Sequence, residues 1–187
     1  MSKRMKVAVL LAGALLVNST YAQAEETFDG WLFNIKRTKE VKPATDKQYL
    51  KECGECHFAY QPGLLPAKSW KKLLNADALK NHFGDNAELD KDTLQAIYDY
   101  AVENAADKSF YKRSRKIALA TADGEPPLRI IEVRYIKRKH SDIPEKMVKG
   151  NNDVKSLSNC NKCYTQADKG VFDADTVSIP NYPDWDD

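Results

Sequence analysis

The feature that most constrains this chain is a pair of cysteines followed directly by a histidine. Cys53 and Cys56 stand three positions apart, and His57 comes directly after the second thiol. This spacing is the attachment signature of a c-type haem. Each thiol adds across one vinyl group of the porphyrin, and the adjacent imidazole is then close enough to bind the iron. The pattern therefore predicts a covalent haem whose proximal ligand is His57.

The first 24 residues have the pattern of an export signal. Three cations precede an apolar run over residues 7–17, and an A-x-A cleavage site ends at Ala24. The run is too short to span a bilayer permanently, so we predict a soluble periplasmic protein that begins near Glu25. An uncleaved membrane anchor is the alternative. Cleavage removes three cations and no acid, so the net charge falls from +2 to −1, which gives no sign of nucleic-acid binding.

A second pair of cysteines has the same spacing but no histidine after it. Cys160 and Cys163 are followed by Tyr164. Zinc ribbons also use two such dithiols, but the export signal and His57 argue against zinc. A redox dithiol of the thioredoxin type needs a βαβ context, and none is apparent. The sequence therefore contains one intact haem motif and one altered motif.

The rest of the chain alternates short helical patterns with loops rich in proline and glycine. The predicted helices are one capped by Thr45 or Asp46, one opened by Pro66, one capped by Asp90, and shorter ones over residues 117–120 and 130–136. The last of these is rich in β-branched residues and could instead be extended. Residues 28–37 alternate in hydrophobicity and predict a short strand or an extended cover.

A turn at residues 123–127 predicts a boundary between two lobes. The first lobe, residues 25–122, contains the intact motif, and the second, residues 123–187, contains the altered one. The predicted fold is mainly α and of cytochrome c type, with short helices and long loops wrapped around covalently bound haem.

The candidate iron ligands are few because the chain has only three histidines. His82 precedes a turn at Gly84, and His140 ends a basic segment. A lone histidine in a loop is usually a solvated side chain, but beside a haem motif it becomes a candidate axial ligand. Met147, the one methionine left after signal removal, is an alternative distal ligand. Trp70 is expected to be a core or haem-edge residue.

Taken together, these motifs resemble the exported dihaem cytochrome c family, whose two haems are each bound by a Cys-x-x-Cys-His motif. The resemblance covers roughly residues 53–180. It rests on the first motif, the Trp70 helix leading to residues 82–87, residues 127–130 leading to His140, and the second dithiol with Ala167, Gly170, Phe172, Ile179 and Pro180 beyond it.

The resemblance implies two haem c groups, each six-coordinate with two histidines. His82 and His140 match the distal ligands, and we expect His82 to serve the first haem. The family implies an electron carrier, not an enzyme. Its partners are other periplasmic haem proteins or a membrane cytochrome.

Tyr164 departs from the family pattern, which has the second proximal histidine there. Two bis-histidine haems need four imidazoles, and the chain has three. A second haem on Cys160 and Cys163 could have His140 as its only strong ligand and an open position. Alternatively, Tyr164 phenolate could bind the iron, as tyrosine does in catalase. Attachment could fail, leaving a disulfide or free thiols, or Tyr164 could be a variant of a histidine codon. We expect one regular haem and a second, modified one.

Two other functions remain alternatives. An open or tyrosine-ligated second iron could bind oxygen, nitric oxide or peroxide, as in a small-ligand binding protein or sensor. The chain could also be a haem-free exported protein with disulfides. The basic residues 112–116 predict a solvated face that could dock an acidic redox partner.

Overall fold

The fold is built from short helices joined by long loops, and the computed structural model describes residues 40–185. Within that part the helices are α1 (Lys47–Gly54), α2 (Ala67–Leu73), α3 (Ala76–Leu79), α4 (Lys91–Glu103), α5 (Lys112–Ala120), α6 (Arg134–Lys139) and α7 (Glu145–Val148). Short 3₁₀ turns occur at Pro62–Leu64, Ala106–Lys108, Ile130–Glu132, Cys160–Lys162, Ala167–Lys169 and Ala174–Thr176. The prediction of a mainly α fold is confirmed. The predicted export signal and the predicted extended stretch at 28–37 lie outside the described residues.

Helix α1 carries the first cysteine to the edge of the core. The Asp46 carboxylate caps it by accepting a hydrogen bond from the Tyr49 amide at 2.8 Å, as the sequence predicts. Tyr49 is buried, and its ring centre lies 5.1 Å from that of Tyr100 on α4. The Tyr100 hydroxyl also accepts a hydrogen bond from the Thr45 amide at 2.9 Å. These contacts attach α1 to α4, and the last turn of α1 contains Cys53.

Helices α2 and α4 pack against each other at the centre of the core. The predicted apolar faces are the buried ones: they include Trp70 on α2 and Ile97 on α4. The Trp70 indole N–H donates to the Pro62 carbonyl at 2.8 Å, so this residue joins α2 to the loop that follows the first motif. Full burial of one such apolar side chain stabilises the fold by about 1.5–3 kcal/mol.

Helices α5 and α6 form the other side of the molecule and pack against each other. Helix α5 begins at Lys112, five residues earlier than the apolar pattern predicts, because Ser114 is buried on the same face as Ile117. Residues 130–136, for which the sequence allows helix or strand, form a 3₁₀ turn and the first half of α6.

The second dithiol lies between two hydrophobic clusters. The larger contains residues from both predicted lobes, including Ile97, Val133 and Phe172, and both Cys160 and Tyr164 pack against it. The smaller consists of Met147, Val148, Val154 and Ile179, and Cys163 packs against it. The lobe boundary at residues 122–123 stays a prediction.

Candidate haem-binding sites

The first motif lies where the chain leaves α1. Cys53 is half-buried in the last turn of the helix, whereas Cys56 and His57 are exposed in the bend beyond it. Burial raises the pKa of the Cys53 thiol to about 12, and the charge of Glu52 adds to the effect. The motif therefore presents a protonated thiol, an exposed thiol and an exposed imidazole at the surface, where a large cofactor can reach them.

The structure brings the rings of His57 and His82 close together and nearly parallel. Their ring centres are 6.3 Å apart and their planes differ by 16°. Two imidazoles that share one metal, each through a nitrogen about 2 Å away, have ring centres about 6 Å apart. The Nδ1 atom of His57 lies 2.8 Å from the Phe58 carbonyl oxygen. Because a carbonyl can only accept, Nδ1 carries the proton and Nε2 is left as the metal-binding atom.

A tight turn holds His82 in this position. The His82 amide donates to the Asp85 carbonyl at 2.7 Å, and the Asp85 amide donates back at 3.3 Å. Gly84 has a φ angle of 115°, which glycine adopts without steric cost. Phe83 before it also has a positive φ angle, of 58°, which bulky side chains rarely adopt. The predicted turn at Gly84 is confirmed, and it directs His82 towards His57.

Arg129, from the C-terminal half of the chain, covers the His82 turn. Its guanidinium carbon lies 3.9 Å from the centre of the Phe83 ring, a cation–π contact. Burial lowers the pKa of His82, the charges of His57 and Arg129 lower it further, and Asp85 raises it. His82 is thereby held as a neutral imidazole, the form that binds metals. The sequence predicts no separate role for Arg129.

A single turn of helix presents the second dithiol. The amides of Cys163 and Tyr164 donate to the Cys160 carbonyl at 3.2 and 2.9 Å. The Ser178 amide in turn donates to the Cys163 carbonyl at 2.8 Å, which attaches the motif to the C-terminal segment. Burial raises the pKa of both thiols, that of Cys160 to about 12.

The structure pairs His140 with Tyr164. The Tyr164 hydroxyl oxygen lies 3.3 Å from Nε2 of His140. Nδ1 of His140 lies 2.8 Å from the Ile136 carbonyl oxygen, so Nδ1 donates there and Nε2 accepts from the tyrosine hydroxyl. The Tyr164 ring packs edge to face on Phe172, with centres 5.5 Å apart. The second site therefore combines one imidazole with one phenol, whereas the first combines two imidazoles.

A cavity opens beside His140, Tyr164 and Cys160. Its volume is about 640 Å³, within the range of about 300–1,000 Å³ that is usual for ligand sites. Its apolar wall comprises Leu64, Ile130, Ile131, Ile136, Leu157 and Phe172. Its charged residues are the cations Arg113, Lys137 and Lys139 and one acid, Glu132. Apolar walls and cations suit a flat apolar macrocycle that carries two carboxylates. The residues at the second site therefore fit a haem.

Tyr60 connects the two sites, a role that the sequence does not predict. Its ring centre lies 5.2 Å from that of His57, and its hydroxyl donates to the Ser158 carbonyl at 2.5 Å. Ser158 is two residues before Cys160. Burial raises the pKa of Tyr60 to about 12. Tyr60 and Ser158 are 98 positions apart, so the one sequence signal is an aromatic residue shortly after the first motif.

Comparisons with known proteins identify a family whose model spans both dithiol motifs. Residues 49–172 match the family model described as dihaem cytochrome c. The solved diheme cytochrome c from Shewanella baltica OS155 is 39% identical, with a TM-score of 0.61, over 75% of this chain and 97% of that chain. The diheme cytochrome c from Rhodobacter sphaeroides is also 39% identical, with a TM-score of 0.61, over 71% of this chain and 99% of that chain. No curated protein sequence matches this chain.

Proposed function

Because the chain belongs to the dihaem cytochrome c family, we propose that it is a periplasmic electron carrier with two covalent haems of different axial ligation. Membership of the family establishes haem-based electron transfer, and members are in general carriers and not enzymes. The observation that carries the finer proposal is the facing pair of His57 and His82. Their spacing and the tautomer of His57 support the assignment, because both are compatible with two ligands of one iron.

At the first site, Cys53 and Cys56 would hold the haem, and His57 and His82 would bind its iron. Haem supplies a one-electron iron couple when it is bound. With both imidazoles on the iron, no position would be left for a substrate, which suits a carrier. The Phe58 carbonyl orients the His57 ring and increases its basicity. Two histidine ligands also favour a lower potential than histidine with methionine.

At the second site, we assign Cys160 and Cys163 to the haem and His140 to its iron. The apolar and cationic cavity beside Cys160 and His140 supports the assignment. Since the chain has three histidines, the ligation of the second iron differs from that of the first. Met147 is the less favoured ligand because it is buried in the smaller hydrophobic cluster.

We propose export through residues 1–24, and electron exchange with other periplasmic haem proteins or a membrane cytochrome. Among the described residues, no helix has the length and hydrophobicity to cross a membrane. The exposed cations of α5 and α6 support docking of an acidic partner. This basic face consists of Lys112, Arg115, Lys116, Arg134, Lys137, Arg138 and Lys139.

Replacement of His82 tests the first site. In mature protein made with a haem-attachment system, His82→Ala opens one axial position, so we expect one additional carbon monoxide site per chain after reduction. An optical titration measures this number, and the intact mass counts the haems. Asn86→Ala is the control, because within the described part of the chain the side chain of this loop residue hydrogen-bonds only to Glu88. An unchanged stoichiometry in His82→Ala, or a mass without covalent haem, contradicts the proposal.

Small-ligand binding at the second iron is a second candidate function, and the cavity beside His140 favours it. The same titration on the unmodified protein separates the two functions. A spectrum that is purely six-coordinate and low-spin, and that carbon monoxide leaves unchanged after reduction, excludes ligand binding.

A further inference from the structure

Tyr164 has the position in the second motif that His57 has in the first, directly after the second thiol. We infer that Tyr164 supplies its hydroxyl oxygen as the iron ligand opposite His140, which makes the second haem an imidazole–phenolate centre. The inference rests on the proposed attachment of that haem to Cys160 and Cys163.

The backbone around Tyr164 is held on both sides. Its amide donates to the Cys160 carbonyl at 2.9 Å, and the next amide, of Thr165, donates to the Thr176 carbonyl at 3.1 Å. The ring packs on Phe172, which is only 6% exposed. The backbone and the ring of Tyr164 are therefore held in place, and its hydroxyl is directed at His140.

The separation of the two polar atoms is close to what a shared metal needs. Two metal–ligand bonds of about 2 Å each place the ligand atoms about 4 Å apart. The Tyr164 oxygen and the His140 Nε2 are 3.3 Å apart, so an opening of roughly 0.7 Å is sufficient. The present contact is also longer than the 2.7–2.8 Å or so of a well-formed O–H hydrogen bond. The contact between these two atoms is therefore weaker than an ordinary O–H hydrogen bond.

The tautomer of His140 suits the same arrangement. Its Nδ1–H is committed to the Ile136 carbonyl at 2.8 Å, so Nε2 is the nitrogen that faces the tyrosine. The first site has the same arrangement, since Nδ1 of His57 donates a hydrogen bond to the Phe58 carbonyl. In both sites a backbone carbonyl fixes which nitrogen is available to a metal.

The charge of the second site favours an oxygen ligand that has lost its proton. On binding iron the Tyr164 hydroxyl gives its proton to solvent, because ligands bind metals in the deprotonated form. Lys137 and Lys139 line the adjoining cavity together with one acid, Glu132, and the third cation, Arg113, is paired with Glu40 at 3.2 Å. The net positive charge of this lining offsets the added negative charge. Tyrosine is an established haem ligand, and the identity of the axial ligand sets the potential. The two centres therefore have unequal potentials, with the second the harder to reduce.

The test uses the purified two-haem protein and two variants. Tyr164→Phe removes the oxygen but keeps the ring on Phe172, and Tyr164→His supplies a fourth imidazole. We expect the unmodified protein to show a phenolate-to-iron charge-transfer band and resonance Raman bands of tyrosine excited within it. Both variants should lose these signals, and Tyr164→His should have only low-spin haem. Tyr182→Phe is the matched control, because that hydroxyl lies 3.5 Å from the Lys146 carbonyl, and it should keep them.

The outcomes separate the inference from the proposed function. Two haems by intact mass with no tyrosine bands in the unmodified protein would overturn the ligand assignment and leave the second haem in place. Signals that survive in Tyr164→Phe would overturn it as well. A mass that corresponds to one haem refutes attachment at the second dithiol, and the ligand assignment is then refuted with it. The Raman measurement on the unmodified protein does not depend on how any variant folds.

Discussion

Single residues decide how the two sites differ. Each site has one histidine that donates Nδ1–H to a backbone carbonyl, His57 at the first site and His140 at the second. What differs is the partner, an imidazole from His82 at one site and a phenol from Tyr164 at the other. One substitution at the residue after the second cysteine thus changes the chemistry of a site whose surroundings remain suitable for haem.

The backbone near the second site also depends on one residue, Gly170. It has a φ angle of 72°, and an added Cβ would collide with the Val41 carbonyl. We expect Gly170→Ala to lower the free energy of unfolding by more than the roughly 1–2 kcal/mol that a left-handed alanine costs, measured by urea unfolding. Gly124→Ala is the control, since its φ angle is 78° and nothing lies within 4 Å of the added Cβ. Equal losses in both variants would refute the steric argument.

Between elements, the loop that follows the first motif holds the two motifs together. Tyr60 donates to the Ser158 carbonyl just before the second dithiol. Its neighbour Gln61 is buried and donates to the carbonyls of Ala167 and Asp168 just after it, at 2.9 and 3.1 Å. This loop therefore sets where the second motif lies relative to the first.

Removal of one of these bonds should weaken the fold in a pH-dependent way. Tyr60→Phe leaves the Ser158 carbonyl without this donor, and we expect a loss of about 1–3 kcal/mol in the free energy of unfolding at neutral pH. The folded pKa of Tyr60 is about 12, above the ordinary value of 10.0. The native state therefore keeps this proton to higher pH than the unfolded state. The stabilisation is complete below the ordinary pKa and is lost as the pH rises through the folded one.

The measurement is denaturant unfolding of the haem-loaded protein at neutral pH and between the two pKa values. The gap between the unmodified protein and Tyr60→Phe should narrow at the higher pH. Tyr182→Phe serves as the control, because its hydroxyl makes only a 3.5 Å contact with the Lys146 carbonyl. A gap that stays constant would show that the Tyr60 proton does not contribute.

For the whole molecule, the numbers of positive and negative side chains nearly balance, but the positive ones are unevenly distributed over the surface. The mature chain has a predicted net charge of −1 after loss of three cations from +2, yet the basic face places seven exposed cations on α5 and α6. Lys137 and Lys139 of that face also line the cavity of the second site. A negatively charged partner that docks there would lie beside the second site.

Charge reversal on the basic face should slow electron exchange with an anion. For Lys137→Glu we expect oxidation of the reduced protein by ferricyanide to be about tenfold slower at low ionic strength. The difference should shrink as salt is added, because salt screens exposed charges. Stopped-flow spectroscopy measures the rates. Lys91→Glu on α4 makes the same change in net charge outside the basic face. Equal slowing in the two variants would contradict a localised docking surface.

By itself the sequence determined the features that depend on near neighbours. The cap at Asp46, the cap at Asp90 and the turn at Gly84 each form through bonds within a few residues, so local patterns predict them. The haem motif is local for the same reason, because both thiols and the imidazole belong to one short segment. The count of three histidines also predicted from the sequence that two haems could not both have two histidine ligands.

Only the tertiary structure decided which distant residues meet. It paired His82 with His57 and His140 with Tyr164, and it joined Tyr60 to Ser158 across 98 positions. Such pairings depend on how the long loops fold over the shared apolar core, and no local pattern encodes the path of a loop. The altered motif was visible in the sequence, but the geometry that makes Tyr164 a candidate ligand arises from the packing of α6 and the second dithiol on one core.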